Sequence, residues 1–183
     1  FISQGGTAEN YQKIYGRSPV IHFNALWLAG LNEYRNTVIR TQAFSNIFYD
    51  IGIGAVPVIN HISVGGDDSV SGATDDEITG QEEWGADVFV TKRFSCHRIV
   101  GQITNYRSVV VNGKIGCQHP ESLRLTKTGI IFLANARDGF FIYNGALQNI
   151  SRPFIDDYLQ TIREPFIVRS GYVFNRYYVI SIG

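Results

Sequence analysis

Cys96-His97 and Cys117-Gln118-His119 are the residue types that bind zinc. A zinc site needs ligands that converge on one point, and finger and ribbon sites show it by short, regular Cys and His spacings. Neither pair has such a spacing. Neighbours on a strand point to opposite faces, so Cys96 and His97 do not reach one ion together. A buried thiol and a turn histidine are the simpler reading, and no metal or other cofactor is expected. Asp67-Asp68 and Asp75-Asp76-Glu77 offer oxygen ligands for calcium, but without the ligand spacing of an EF-hand or a nonapeptide repeat. They read as a solvated acidic loop.

Glu82-Glu83 beside Trp84 suggests the paired carboxylates of glycoside hydrolysis. That chemistry needs two carboxylates facing each other across a sugar, which adjacency in sequence does not provide. No G-x-S-x-G elbow is present, and His22 and His61 lack an evident nucleophile. No Walker loop or dinucleotide fingerprint appears; Gly52-Ile53-Gly54-Ala55 reads as a strand kink. Asn149-Ile150-Ser151 fits a glycosylation sequon and equally a helix cap. Arg93, Arg98, Arg107, Lys114, Arg124 and Lys127 make the middle of the chain locally basic. They are candidate DNA-channel contacts, since phosphate contacts need no sequence reading. Scattered strand faces are the alternative.

Composition narrows the classes. Basic and acidic residues number 16 each, so a general nucleic-acid coat or a polybasic membrane surface is not expected. No apolar run approaches the roughly 20 residues of a membrane-spanning helix. Two Cys do not make a disulfide scaffold. Charged residues are 17% of the chain, below the roughly 25% of ordinary soluble domains. With 10 Tyr, 12 Phe and 19 Gly, the composition is that of a folded, β-rich chain. The absence of Met and the start at Phe1-Ile2-Ser3 suggest a piece of a longer protein.

Sheet signals dominate. The stretch 21–30 reads as two short strands around Asn24-Ala25, and Thr37 to Thr41 as a half-buried strand. Asp87 to Thr91 and Ser95 to Gly101 read as a hairpin. Gly129 to Ala134 and Phe140 to Tyr143 flank the turn Arg137-Asp138-Gly139, and Asn144-Gly145 closes the second of them. Gly171 to Ser181 repeats the pattern. A short helix is expected near 151–163, with Ser151 as its cap, Pro153 in its first turn and Phe154, Ile155, Tyr158, Leu159 and Ile162 on one face. Thr7 to Tyr15 is a weaker helical stretch. A long insertion loop is expected near 65–83.

Strand starts near Ala86, Gly129 and Tyr172 recur with a period of roughly 43 residues, and an earlier copy begins near Val20. A period of that length with several strands per unit marks a β-propeller blade. The fold class expected is mainly all-β: a partial propeller of about three to four blades, spanning 1–183 as one fragment of a larger propeller. A mixed β-sandwich with accidental spacing is the alternative.

Ser18-Pro19, His22 to Gly30, Asn36-Thr37-Val38, Glu77 to Lys92, Ile115 to Ser122, Gly129 to Leu133, Asp138 to Gly145 and Asn149-Ile150-Ser151 with Phe154-Ile155 occur in an order that resembles one family. It is the tail nozzle or hub propellers of short-tailed bacteriophages, the tail tubular protein B-like group. The likeness covers roughly 18–183; Asn24-Ala25 depart from it, standing where the family often has a basic residue before Leu-Trp. The resemblance implies a structural virion protein and not an enzyme. It implies a ring homo-oligomer, hexameric by family, below the portal and adaptor, with tail fibre or spike proteins as neighbours. Viral DNA would pass through with transient, non-specific contact, and there would be no membrane insertion. The alternative is a carbohydrate-binding or glycoside-hydrolysing propeller with surface Trp27, Trp84 and tyrosines stacking on sugars. A plain interaction propeller of a cell is a third possibility.

Overall fold

Short apolar runs punctuated by Gly, Asn and Asp close into antiparallel hairpins, because those residues tolerate the positive φ that a tight hairpin turn needs. The structure, a computed structural model, describes residues 17–30, 35–41, 61–65, 76–102, 105–135, 138–151, 161, 168–175 and 177–183. Strands β1 (Arg17–His22), β2 (Ala25–Ala29), β3 (Thr37–Arg40) and β4 (His61–Ser63) form one four-stranded sheet in that order. Strands β5 (Ile78–Trp84), β6 (Asp87–Lys92), β7 (Cys96–Val100) and β8 (Arg107–Asn112) form a second. Strands β9 (Arg124–Leu125), β10 (Ile130–Asn135), β11 (Gly139–Tyr143) and β12 (Leu147–Asn149) form a third. A hairpin of β13 (Val168–Phe174) and β14 (Tyr177–Ile182) follows. Every pairing is antiparallel between chain neighbours, so each unit is a meander.

The mainly β expectation holds, and three of its details change. The first turn lies at Phe23-Asn24, both at positive φ (46° and 58°), one residue before the expected Asn24-Ala25, and His22 pairs with Ala25 across it. The stretch from Ile78 to Glu83 is strand, not insertion loop. Its polar residues suited a loop reading, but Gln81 pairs with Val90 and Glu82 with Phe89 across the ladder. Tyr172 is not a strand start: it sits inside β13 opposite Val179. Ala86 and Gly129 immediately precede β6 and β10, the second strands of their sheets, so the period was sound there and slipped one strand at the end. The helix near 151–163 lies outside the described residues except for Ser151 and Thr161, as do Thr7 to Tyr15, Gly52 to Ala55, and 66–75 of the acidic stretch.

The units stack face to face. Their first strands, β1, β5, β9 and β13, lie successively side by side, and β4 meets β8. Between the first and second sheets, Trp27, Ala29, Val38, Ile62 and Val64 pack on Ile78, Val88, Val90 and Ile99. Between the second and third, Phe89, Cys96 and Cys117 pack on Leu123, Ile130, Phe132, Ala134, Phe141 and Tyr143. Leu133 and Phe140 then meet Val168, Tyr178, Ile180 and Ile182 of the last hairpin. Neighbours on one strand thus serve different interfaces: Val88 and Val90 face one way and Phe89 the other, as the two-residue period of a strand dictates. The Phe89 ring stacks on Tyr143 with centroids 4.5 Å apart. A fully buried side chain of this size contributes about 1.5–3 kcal/mol.

Polar pins cross the same interfaces. Gln81 Nε2 donates to the carbonyls of Ser18 (2.7 Å) and Trp27 (3.1 Å). Arg124 Nε donates to Gly171 O at 2.7 Å, and Tyr178 Oη donates to Ser122 O at 2.5 Å. Gly171 has a steric reason: a Cβ there would stand 2.6 Å from the Glu121 carbonyl oxygen, so only glycine lets β13 approach this closely.

Candidate functional site

The acid, hydroxyl and imidazole nearest to a catalytic arrangement are Asp76, Ser95 and His97. Ser95 Oγ lies 2.6 Å from Asp76 Oδ2 and 3.0 Å from His97 Nε2. A carboxylate accepts only, so the serine gives its one proton to Asp76 and accepts from Nε2–H. Ser108 Oγ then donates to Nδ1 at 3.3 Å. A nucleophilic serine needs the imidazole as its base; here the imidazole donates to it, and Ser95 is buried. The cluster is built to hold a charge instead. The Lys92 side chain is 1% exposed and lies 3.9 Å from Asp76, and its ammonium donates to Val64 O at 3.0 Å. Asp76 also accepts from Phe94 N at 2.6 Å. This network ties the end of the first sheet to the second. Burial and Lys92 both hold the His97 pKa below its ordinary value, against Asp76, which raises it.

The cysteines behave as core residues. Both are free and buried. Desolvation, followed by Cys117 and Asp76, lifts the Cys96 thiol well above its usual range, and burial pushes Cys117 up to about 12. Thiols so protected stay protonated and make poor nucleophiles and metal ligands. Cys117 donates to His119 O at 3.2 Å, while His97 is turned to the Ser95–Asp76 network. Among the described residues no group of three or more His, Cys, Asp and Glu side chains is placed to hold a metal. Of the acidic residues weighed as calcium ligands, Asp76 is engaged as above and Glu77 pairs with Arg35 at 3.7 Å; Asp67, Asp68 and Asp75 lie outside the described residues.

The carboxylate pair separates. Adjacent on β5, Glu83 faces His22, with Oε1 2.9 Å from Nδ1, while Glu82 is raised in pKa by burial, partly offset by Arg124. The two do not face one sugar-sized space. The sugar-binding alternative needs Trp27 at the surface; it is fully buried in the first interface, its indole N–H donating to His22 O at 3.1 Å. Trp84 packs edge-on against Tyr143, with centroids 5.9 Å apart. His61 lies at the start of β4, opposite Ile39. Asn149 of the sequon donates its amide to Asp138 O at 2.7 Å.

The basic residues do not form one stripe. A meander turns alternately at its two ends, so cations close in sequence are dealt to opposite edges. Arg93, in the β6–β7 turn, and Lys114, after β8, meet at one edge in a common cleft. Lys127 is in the β9–β10 turn at the other edge, and Arg107 begins β8 at that same edge of its sheet. Arg98 on β7 is neutralised by Asp87, Nε to Oδ2 at 3.3 Å, an ion contact without hydrogen-bond alignment. Arg124 is engaged with Gly171 O and, through its terminal nitrogen, with Leu123 O. One surface that the sequence reading missed is apolar. Tyr172, Phe174, Tyr177 and Val179 are 63%, 64%, 59% and 54% exposed on one face of the last hairpin, where Tyr172 pairs with Val179 and Phe174 with Tyr177. Their alternation along β13 and β14 was the available signal.

No helix among the described residues is long and apolar enough to cross a membrane. Neither the family models nor the curated proteins compared with this sequence give a match.

Proposed function

We propose that this chain is part of a β-propeller in the tail nozzle or hub of a short-tailed bacteriophage, a structural virion protein that works by packing and oligomerisation. The observation that carries the propeller is the stacking of successive four-stranded meanders with their first strands side by side. Propeller blades have that strand order and that contact. The step from propeller to tail nozzle rests on the ordered sequence resemblance over roughly 18–183.

In this reading the first strands line the axis, and the blades are rigid because apolar clusters and polar pins lock each sheet to the next. Copies assemble into a ring, hexameric by the resemblance, in which the same two distinct patches meet at every boundary. The exposed aromatic face of β13 and β14 suits packing against a further sheet of the propeller. Portal and adaptor on one side and fibre or spike proteins on the other are the partners, and DNA passes with transient contact. Of the six candidate basic residues only Arg124 stands on a first strand, and its guanidinium is held by the Gly171 and Leu123 carbonyls, so the contact with DNA rests on the resemblance alone.

The test is the native mass of the intact assembly from its source, with the denatured mass of the full chain alongside. A ring of several copies, each much heavier than 20.5 kDa, is expected. A monomer of the mass of this chain overturns the reading.

A further inference from the structure

Arg93, Phe94, Lys114, Gln118, Asn135 and Asp138 line an open cleft of about 460 Å³. That is within the range of small-ligand sites, about 300–1,000 Å³. The β6–β7 turn, the segment after β8, and Asn135 and Asp138 at the neighbouring ends of β10 and β11 line it. Gly116 lets them close. A Cβ there would lie 2.3 Å from Lys92 O and 2.5 Å from Phe94 N, so the chain after β8 runs directly against the β6–β7 turn and delivers Lys114 to the cleft of Arg93.

The lining mixes two kinds of recognition. Among the described residues neither Arg93 nor Lys114 makes an ion pair, unlike Lys92 and Arg98. The Arg93 guanidinium lies over the Phe94 ring, 5.1 Å from its centroid, and that ring is 42% exposed. A fixed carboxylate shares the lining. Asp138 Oδ2 accepts from Asn135 Nδ2 at 2.6 Å, its N–H donates to Asn135 Oδ1 at 2.8 Å, and its carbonyl holds Asn149. Its Oδ1 makes no hydrogen bond among the described residues. A purely anionic ligand gains from the cations and is opposed by this acid. A ligand with one negative group and several hydroxyl donors satisfies both, since carboxylates take O–H donors strongly.

We propose that this cleft binds an acidic sugar unit of a glycan, with Arg93 and Lys114 on its carboxylate, Asp138 and Gln118 on its ring hydroxyls and Phe94 against its apolar face. Aromatic rings beside a few polar groups are the usual makings of such a site. All the lining residues belong to one chain, so binding is independent of ring assembly, and a monomer would leave it standing.

The experiment titrates the chain with glucuronic acid, glucose, acetate and a single-stranded oligonucleotide, following the amide resonances of Phe94, Lys114, Gln118 and Asp138. Glucuronate should shift these amides saturably, with glucose and acetate at least about tenfold weaker. Arg93→Gln and Lys114→Gln, both at exposed positions, should each remove most of that affinity. Asp138→Asn should bring glucuronate closer to acetate. No saturable shift with glucuronate up to about 100 mM, equal binding of glucose, or unchanged affinity in both glutamine variants overturns the proposal. Tighter binding of the oligonucleotide at the same amides overturns it in favour of a phosphate-backbone contact.

Discussion

Strand β11 is buried at every position from Gly139 to Tyr143, whereas β14 alternates between exposed and half-buried from Tyr177 to Ile182. The two strands are similarly rich in aromatic and branched residues. They differ in neighbours: the sheet of β11 has a sheet on each side, and the described residues place one only on the inner side of β14. An apolar residue is worth most where both partners exclude water, so the same residue types stabilise the middle of the stack and leave a contact surface at its end.

The largest test of that contrast pairs Phe89→Ala with Val179→Ala. The first empties a stacked site between two sheets and should cost about 3–5 kcal/mol. The second trims an exposed side chain and should stay within about 0.5 kcal/mol. Urea unfolding of the chain measures both, and similar costs would erase the distinction. Next comes Asp76→Asn, which removes the carboxylate 3.9 Å from the buried Lys92 ammonium and should cost about 3 kcal/mol; Lys92→Met, which removes the buried charge itself, should be far milder. If Lys92→Met proved the more damaging of the two, the network would owe its stability to the Val64 contact instead.

Tyr178→Phe should cost about 1 kcal/mol, and the loss should be local. Amide exchange should quicken across β13 and β14 while β6 and β10 keep their protection. Equal quickening everywhere would mean that the end hairpin is as integral as the middle. The smallest effect concerns pH. The folded His97 pKa lies below 6.5, so the unfolded chain binds more protons in the window below that value. The contribution is fully present above pH 6.5 and is lost as the pH falls through the folded pKa. Glu82 is raised above 4.5 and acts with the opposite sign, stability falling as the pH rises through its window. Replacing His97 by Gln should flatten the upper slope in a series of unfolding curves and leave the lower one.

How far the sequence was legible follows from the same packing. Strands β2, β3, β6, β7, β10 and β11 announced themselves because apolar runs met Gly, Asp or Asn turns. Strand β5 did not, since Gln81, Glu82 and Glu83 look like loop until Gln81 is seen holding the Ser18 and Trp27 carbonyls of the next sheet. A periodicity records which side chains are apolar, not which polar ones have buried partners. The meeting of Arg93 and Lys114 was invisible for a different reason: it depends on which edge of a meander each turn occupies, and that needs the strand count first.

Every ladder among the described residues joins strands adjacent in the chain, and one sheet is linked to the next mainly by side chains, with a few backbone bonds such as Ile78 N to Arg35 O and Gln118 N to Ala134 O, both 3.0 Å. Pairing within each sheet is therefore local, and a meander can nucleate before distant segments find each other. Each meander can be completed as it leaves the ribosome, offering the following one a finished apolar template, so that folding runs from the amino end as a wave. The pins made by Gln81, Lys92 and Arg124 then act late, as fasteners set after each new sheet has docked.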